Sequence, residues 1–220
     1  MNFLHIHTHS HFSFDSGVPK PEELAAEAKR MGMQAIALTD RNKVSGLLLF
    51  YQACKNLKIK PILGVELTPR DCENENLVIL AKNAEGYGDI CQIVSRRNLD
   101  PKFTFESLLE RQWQNLIMFT NHPQVLSKIL NSPNRGNLYG ELINTSEITT
   151  KRSKEVERLC RQSAISTVAT NDVYFLKKDD WHIHKLLRAI GLNTTLSRVT
   201  QKDRASMWSY FRSRDEMFRA

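Results

Sequence analysis

Four of the seven histidines stand within seven residues, in the run His5-Ile6-His7-Thr8-His9-Ser10-His11. On an extended chain side chains alternate, so His5, His7 and His9 share one face. Two imidazoles spaced i and i+2 on one face can reach a single metal ion. Imidazole suits zinc, iron or manganese, with a nitrogen–metal distance of about 2 Å for zinc. A surface cluster or a tag remnant is the competing reading. Ligation is preferred because the run is not pure histidine and is flanked by strand residues.

Further groups able to hold a metal close four other apolar runs. Asp40 follows Ala35-Ile36-Ala37-Leu38, and Glu66 follows Ile62-Leu63-Gly64-Val65. His122 follows Ile117-Met118-Phe119-Thr120, and Asp172 follows Val168-Ala169-Thr170-Asn171. Any one alone is more often a helix cap or a solvated group. Four at the ends of four strands is how a metal cluster is built at a barrel mouth. His5 and His11 are read as flanking residues. His182 and His184 fall on different faces of a helix and do not ligate together. Trp113 and Trp181 are read as packing residues.

The elements that would position these groups alternate. Phe3 to His7 is a short alternating run. Strands are expected at 35–38, 61–67, 77–81, 116–120 and 165–169. Helices are expected at 21–31, 44–56, 87–96 and 150–162. Residues 132–136 form a loop. Pro21 at the first turn, Glu22 and Glu23 early, and Lys29 and Arg30 late support the first helix. Strand and helix in turn argue for an α/β fold built on parallel strands, where functional groups gather at carboxyl ends.

The chain has 220 residues, 41% hydrophobic and 25% charged, which suits one packed soluble domain. No apolar run approaches the ~20 residues of a membrane span, and the N-terminus lacks a signal-peptide pattern, so a cytoplasmic protein is expected. Cys54, Cys72, Cys91 and Cys160 form no C-x-x-C pair, so they are read as free thiols rather than a zinc knuckle. The net charge of +7 is uneven: residues 183–220 hold eight Lys/Arg against three Asp/Glu, leaving +2 for the first 182. A solvated basic tail is the preferred reading of that charge over a docking segment.

At the candidate ligands the sequence resembles the polymerase-and-histidinol-phosphatase (PHP) family. Leu4-His5-Ile6-His7-Thr8-His9-Ser10 is similar to its opening motif, Ala37-Leu38-Thr39-Asp40 to its second, Lys60-Pro61-Ile62-Leu63-Gly64-Val65-Glu66 to its third, and Thr170-Asn171-Asp172-Val173 to a late one. Residues 77–87, 168–176 and 208–217 resemble the polymerase branch, the N-terminal domain of bacterial DNA polymerase III alpha subunits. The resemblance covers essentially the whole chain and implies an irregular (β/α)7 TIM-like barrel. It places a PHP domain at 1–190, and at 191–220 a basic segment completing it or leading towards a polymerase region. The family's full site holds three metals on nine positions, of which His7, His9, Asp15, Glu66, His122 and Asp172 are kept. Arg41, Asn76 and Tyr174 stand where histidines are expected.

In the family's arrangement His7, His9, Glu66 and Asp172 serve one metal. Glu66 and His122 serve a second, which has lost the histidine expected at Asn76. Asp15, Arg41 and Tyr174 occupy the third. One to two divalent ions (zinc, manganese or iron) are therefore expected. Arginine cannot ligate, and its guanidinium is expected to pair with Asp15, which would put Arg41 near Asp15 or Asp172. The resemblance implies a domain of a replicative polymerase. Its role is structural, or a weak phosphoesterase or 3′–5′ exonuclease activity, and it does not polymerise. Its expected partners are the polymerase region of the same chain, DNA and other replicase subunits, with no membrane. The alternative is a free-standing metal-dependent phosphoesterase of the histidinol-phosphatase type, disfavoured by the lost ligands.

Overall fold

A computed structural model describes residues 3–69 and 75–219. Cys72 lies outside these residues; Cys54, Cys91 and Cys160 are free. No helix is long and apolar enough to cross a membrane among the described residues. The chain divides into two compact units, one of residues 1–41, 45–62 and 171–220, the other of 42–44 and 63–170.

The first unit is organised around β1 (Ala35–Leu38), whose four residues are all buried. The histidine segment lies along β1: Ala37 N donates to His5 O and Thr39 N to Thr8 O, both at 2.9 Å. On its other side Val173 N donates to His7 O (3.1 Å) and His9 N to Val173 O (2.8 Å). Among the described residues the only strand-type pairing of the segment is one parallel bridge, Thr8 to Val173. The run is thus extended but short of a full strand. Lys60 N, at the start of β2 (Lys60–Leu67), donates to Gln34 O.

Helix α1 (Pro21–Arg30) has the expected proline and charge order and buries Leu24, Ala25 and Ala28. It packs on α2 (Leu47–Leu57), which starts three residues later than the apolar pattern predicts. In the same unit α7 (Trp181–Gly191) and α8 (Arg214–Phe218) carry the C-terminal part. Residues 191–219 are tied into this unit: Arg188 Nε donates to Asp203 O (2.6 Å) and Phe211 N to Phe175 O (2.9 Å).

The second unit places the rest of β2 beside β3 (Leu77–Ala81), then β4 (Leu116–Thr120), β5 (Leu138–Ile143) and β6 (Thr167–Thr170), in sequence order. The β4–β5 and β5–β6 pairs are parallel, as expected. The β2–β3 and β3–β4 pairs are antiparallel, with Glu66 opposite Val78 and Val78 opposite Phe119. This corrects the all-parallel expectation. Residues 68–76 are too few for the crossover of about a dozen that a parallel return needs, so β3 runs against both neighbours.

Helices α3 (Ala84–Leu99), α4 (Phe105–Leu109), α5 (Pro123–Leu130) and α6 (Glu147–Ser163) complete this unit. Its core joins Leu67, Leu77, Ile79, Ile90, Trp113 and Leu126, among others. The indole of Trp113, 1% exposed, donates to Leu108 O, the packing role expected of it.

Candidate metal centre

The first unit brings His7, His9 and Asp172 together. Both imidazoles are fully buried, and the Asp172 side chain is 19% exposed. Asp172 Oδ1 lies 3.2 Å from His9 Nε2 and 3.4 Å from His7 Nε2. Asp172 follows β6 with φ of +46°, a left-handed conformation that costs a non-glycine residue of order 1–3 kcal/mol. The flanking backbone bonds of His7, His9 and Val173 hold it there.

The proton on His9 follows from its neighbours. Ser13 Oγ donates to Asp40 Oδ1 (2.7 Å), and a carboxylate only accepts. The hydroxyl has one hydrogen, so towards His9 Nδ1, 3.1 Å away, it can only accept. His9 therefore carries its proton on Nδ1. In the neutral imidazole, the Nε2 lone pair then faces the carboxylate oxygen of Asp172. Two acceptors at 3.2 Å require a cation or a proton between them. The donor set of two imidazoles and a carboxylate fits zinc, manganese or iron.

Asp40 also closes a strand, but its oxygens are occupied. Oδ1 accepts from Ser10 N and Ser13 Oγ, and Oδ2 from Ser10 Oγ, all at 2.7 Å. Its carboxylate acts as a brace, and Ser13 passes that rigidity to His9 as a metal ligand's outer partner does.

In the second unit Glu66 is fully buried near the end of β2, its carbonyl accepting from Asn42 N (2.8 Å). Asn76, standing where a histidine is expected, donates through Nδ2 to Glu66 Oε2 (2.8 Å). Thr120 Oγ1 donates to Asn76 O (2.7 Å) and accepts from His122 N (3.0 Å). The buried His122 side chain meets Arg152: Nη1 donates to His122 Nε2 at 2.9 Å. Arginine only donates, so this nitrogen is an acceptor and the ring is protonated at most on Nδ1. Burial lowers the pKa of Arg152 below the usual guanidinium range.

The other two replaced positions meet each other. Arg41 Nη2 donates to the Tyr174 hydroxyl (3.0 Å), and the Tyr174 ring stacks on His9 with centroids 4.3 Å apart. The expected Arg41–Asp15 pair is not formed among the described residues. Asp15 is exposed, with φ of +62°, and its side chain turns onto the open face of Gly191. The Gly191 position admits no Cβ because Asp15 atoms already lie there.

His5 and His184 serve as neutral braces. His5 Nε2 donates to Arg212 O (2.8 Å), and burial pulls its pKa down to about 4. His184 Nδ1 donates to Ser16 O (2.6 Å) while Nε2 accepts from Ala205 N (2.9 Å); burial also takes it to about 4. His11 and His182 are exposed. Ser13 and Arg152 escaped sequence reasoning. Ser13 sits in an unpatterned loop, and Arg152 lies in a helix whose charged run reads as a solvated face.

Residues 5–174 match the PHP domain. The DNA polymerase III subunit alpha of Buchnera aphidicola subsp. Schizaphis graminum is 30% identical over 242 residues, spanning 98% of this chain and 21% of that protein. This chain therefore spans about a fifth of the relative's length. Among solved structures, an amidohydrolase from Chromobacterium violaceum aligns with a TM-score of 0.53 and 13% identity, over 78% of this chain and 87% of that one. A protein taken to be a metal-dependent phosphoesterase, from Bifidobacterium adolescentis, aligns over the same shares with a TM-score of 0.51 and 12% identity. At these identities the two structures show a shared fold, the α/β, TIM-like arrangement of the PHP domain, and nothing further.

Proposed function

The chain belongs to the PHP domain family, and on that premise we propose that it is the N-terminal domain of a bacterial replicative polymerase alpha subunit, holding a divalent ion. His7, His9 and Asp172 are its proposed ligands. Glu66 is proposed as the fourth, a buried carboxylate standing where the family resemblance expects a ligand to the same ion. His122 and Asp15 are weaker candidates, one engaged by Arg152 and the other exposed. The ion is zinc, manganese or iron, with one held well and a second at most weakly.

When bound, such an ion polarises a phosphoryl oxygen and activates water. The residues of the chain do the rest. Ser13 and Asp40 keep the proton of His9 on Nδ1, leaving Nε2 open to a cation. The backbone of Val173 fixes the spacing of His7 and His9. With Arg41, Asn76 and Tyr174 in place of histidines, hydrolysis of a phosphoester or a 3′ DNA end is weak, and the ion also braces the fold. The basic segment 191–220 leads towards a polymerase region, and DNA and replicase subunits are its partners. The protein works in the cytoplasm.

The observation that carries this reading is the approach of His9 Nε2 to Asp172 Oδ1 at 3.2 Å, with His9 Nδ1 held by Ser13. Metal content and cleavage of a 3′-labelled oligonucleotide test it, on the wild type and on His7→Ala with His9→Ala. At least one equivalent of metal in the wild type and none in the variant is expected. Equal metal in both would end the proposal.

A further inference from the structure

In the second unit Arg152 is a half-buried cation with no paired carboxylate among the described residues. Among the described residues its guanidinium bonds only His122 Nε2 and makes no ion pair. Elsewhere on α6 the arrangement is different: Arg161 pairs with Glu157. A guanidinium taken partly out of water with no carboxylate beside it is costly, and an anion at its free N–H groups would offset that cost. The bond to His122 Nε2 engages one Nη1–H of the fork and leaves its other N–H groups available to a ligand.

We infer that Arg152, oriented by His122, is an anion-binding residue that takes the oxygens of a phosphate ester. A planar fork of N–H donors matches phosphate in a bidentate way that an ammonium does not. The inference deepens the function proposed above and rests on it for the nature of the ester. The phosphate contact itself needs no metal.

The test is a titration of the metal-chelated chain with inorganic phosphate, followed by 31P line shape and by the side-chain N–H signals of Arg152. The wild type is expected to bind saturably, with the Arg152 signals shifting. Arg152→Ala should weaken binding about tenfold or more, the scale of a lost charged hydrogen bond. Arg152→Lys should recover part of it. Arg161→Ala, at the exposed ion pair elsewhere on α6, should leave it unchanged. Equal affinity in the wild type and Arg152→Ala, or unmoved Arg152 signals in the unaltered chain, would overturn the inference and leave the metal reading standing. A wild type that binds phosphate through Arg152 yet takes up no zinc, manganese or iron when each is supplied would sink the metal reading and keep this one.

Discussion

Arg41 and Tyr174, 133 residues apart, are hydrogen-bonded to each other at 3.0 Å, although the family resemblance expects a metal-binding histidine at each. The replaced positions have acquired a bond of their own, and Tyr174 extends it by stacking on His9. A double-mutant cycle with Arg41→Met and Tyr174→Phe should give a coupling energy of about 1 kcal/mol in urea denaturation. Additive single effects would mean that the bond is not made in solution.

The proton logic at His9 makes Ser13 a positioning residue. Ser13→Ala removes the acceptor of His9 Nδ1–H and a donor to Asp40 together. Loss of such an outer partner lowers metal affinity by about 10–100-fold. Competition with a chelating dye should show that drop, and Ser13→Thr, which keeps the hydroxyl, should restore most of the affinity. Unchanged affinity in Ser13→Ala would remove Ser13 from the site.

How much of this could be read from sequence depended on whether the cause was local. Strands β1, β3 and β4 have the expected bounds because short, mainly apolar runs are largely buried on both sides. Strand β5 was missed because Gly140 and Glu141 interrupt its apolar run. Both answer to distant partners, since Gly140 lies under α6 and Glu141 Oε1 accepts from Thr170 Oγ1. The common direction of His7 and His9 follows from alternation. The pairing of Ser13 with Asp40 and of Arg152 with His122 does not, because each spans about thirty residues with no periodic signal.

Acid should unfold the protein through its buried histidines. His5 and His184 are neutral in the fold, with pKa values near 4 against 6.5 in the open chain. Above pH 6.5 both states hold them neutral, and stability is unaffected by them. Between 6.5 and 4 the unfolded chain binds protons that the folded chain refuses, so stability falls as pH falls. A depression of this size amounts to ~3 kcal/mol for each residue. Urea midpoints measured from pH 7 to pH 4.5 should fall steadily. His184→Gln should reduce the slope by about one proton. A pH-independent midpoint would show these rings exposed.

The close packing of α6 on β5 can be tested at one atom. A Cβ on Gly140 would collide with Cys160 Sγ and come within 2.8 Å of Val156 Cγ1. Both neighbours are fully buried on α6, so neither can swing away cheaply. Gly140→Ala should therefore destabilise by about 1–3 kcal/mol through overpacking, against the usual gain from replacing a glycine. Cys160→Ala alone leaves a small void and should also destabilise. Combined, the new methyl enters the space vacated by the sulfur, so the double variant should be more stable than the sum of the two losses. Val156 still crowds the site, so recovery should stop short of the wild type. Thermal denaturation of the four proteins decides it: strictly additive losses would mean that the Gly140 methyl and the Cys160 sulfur do not compete for the same space.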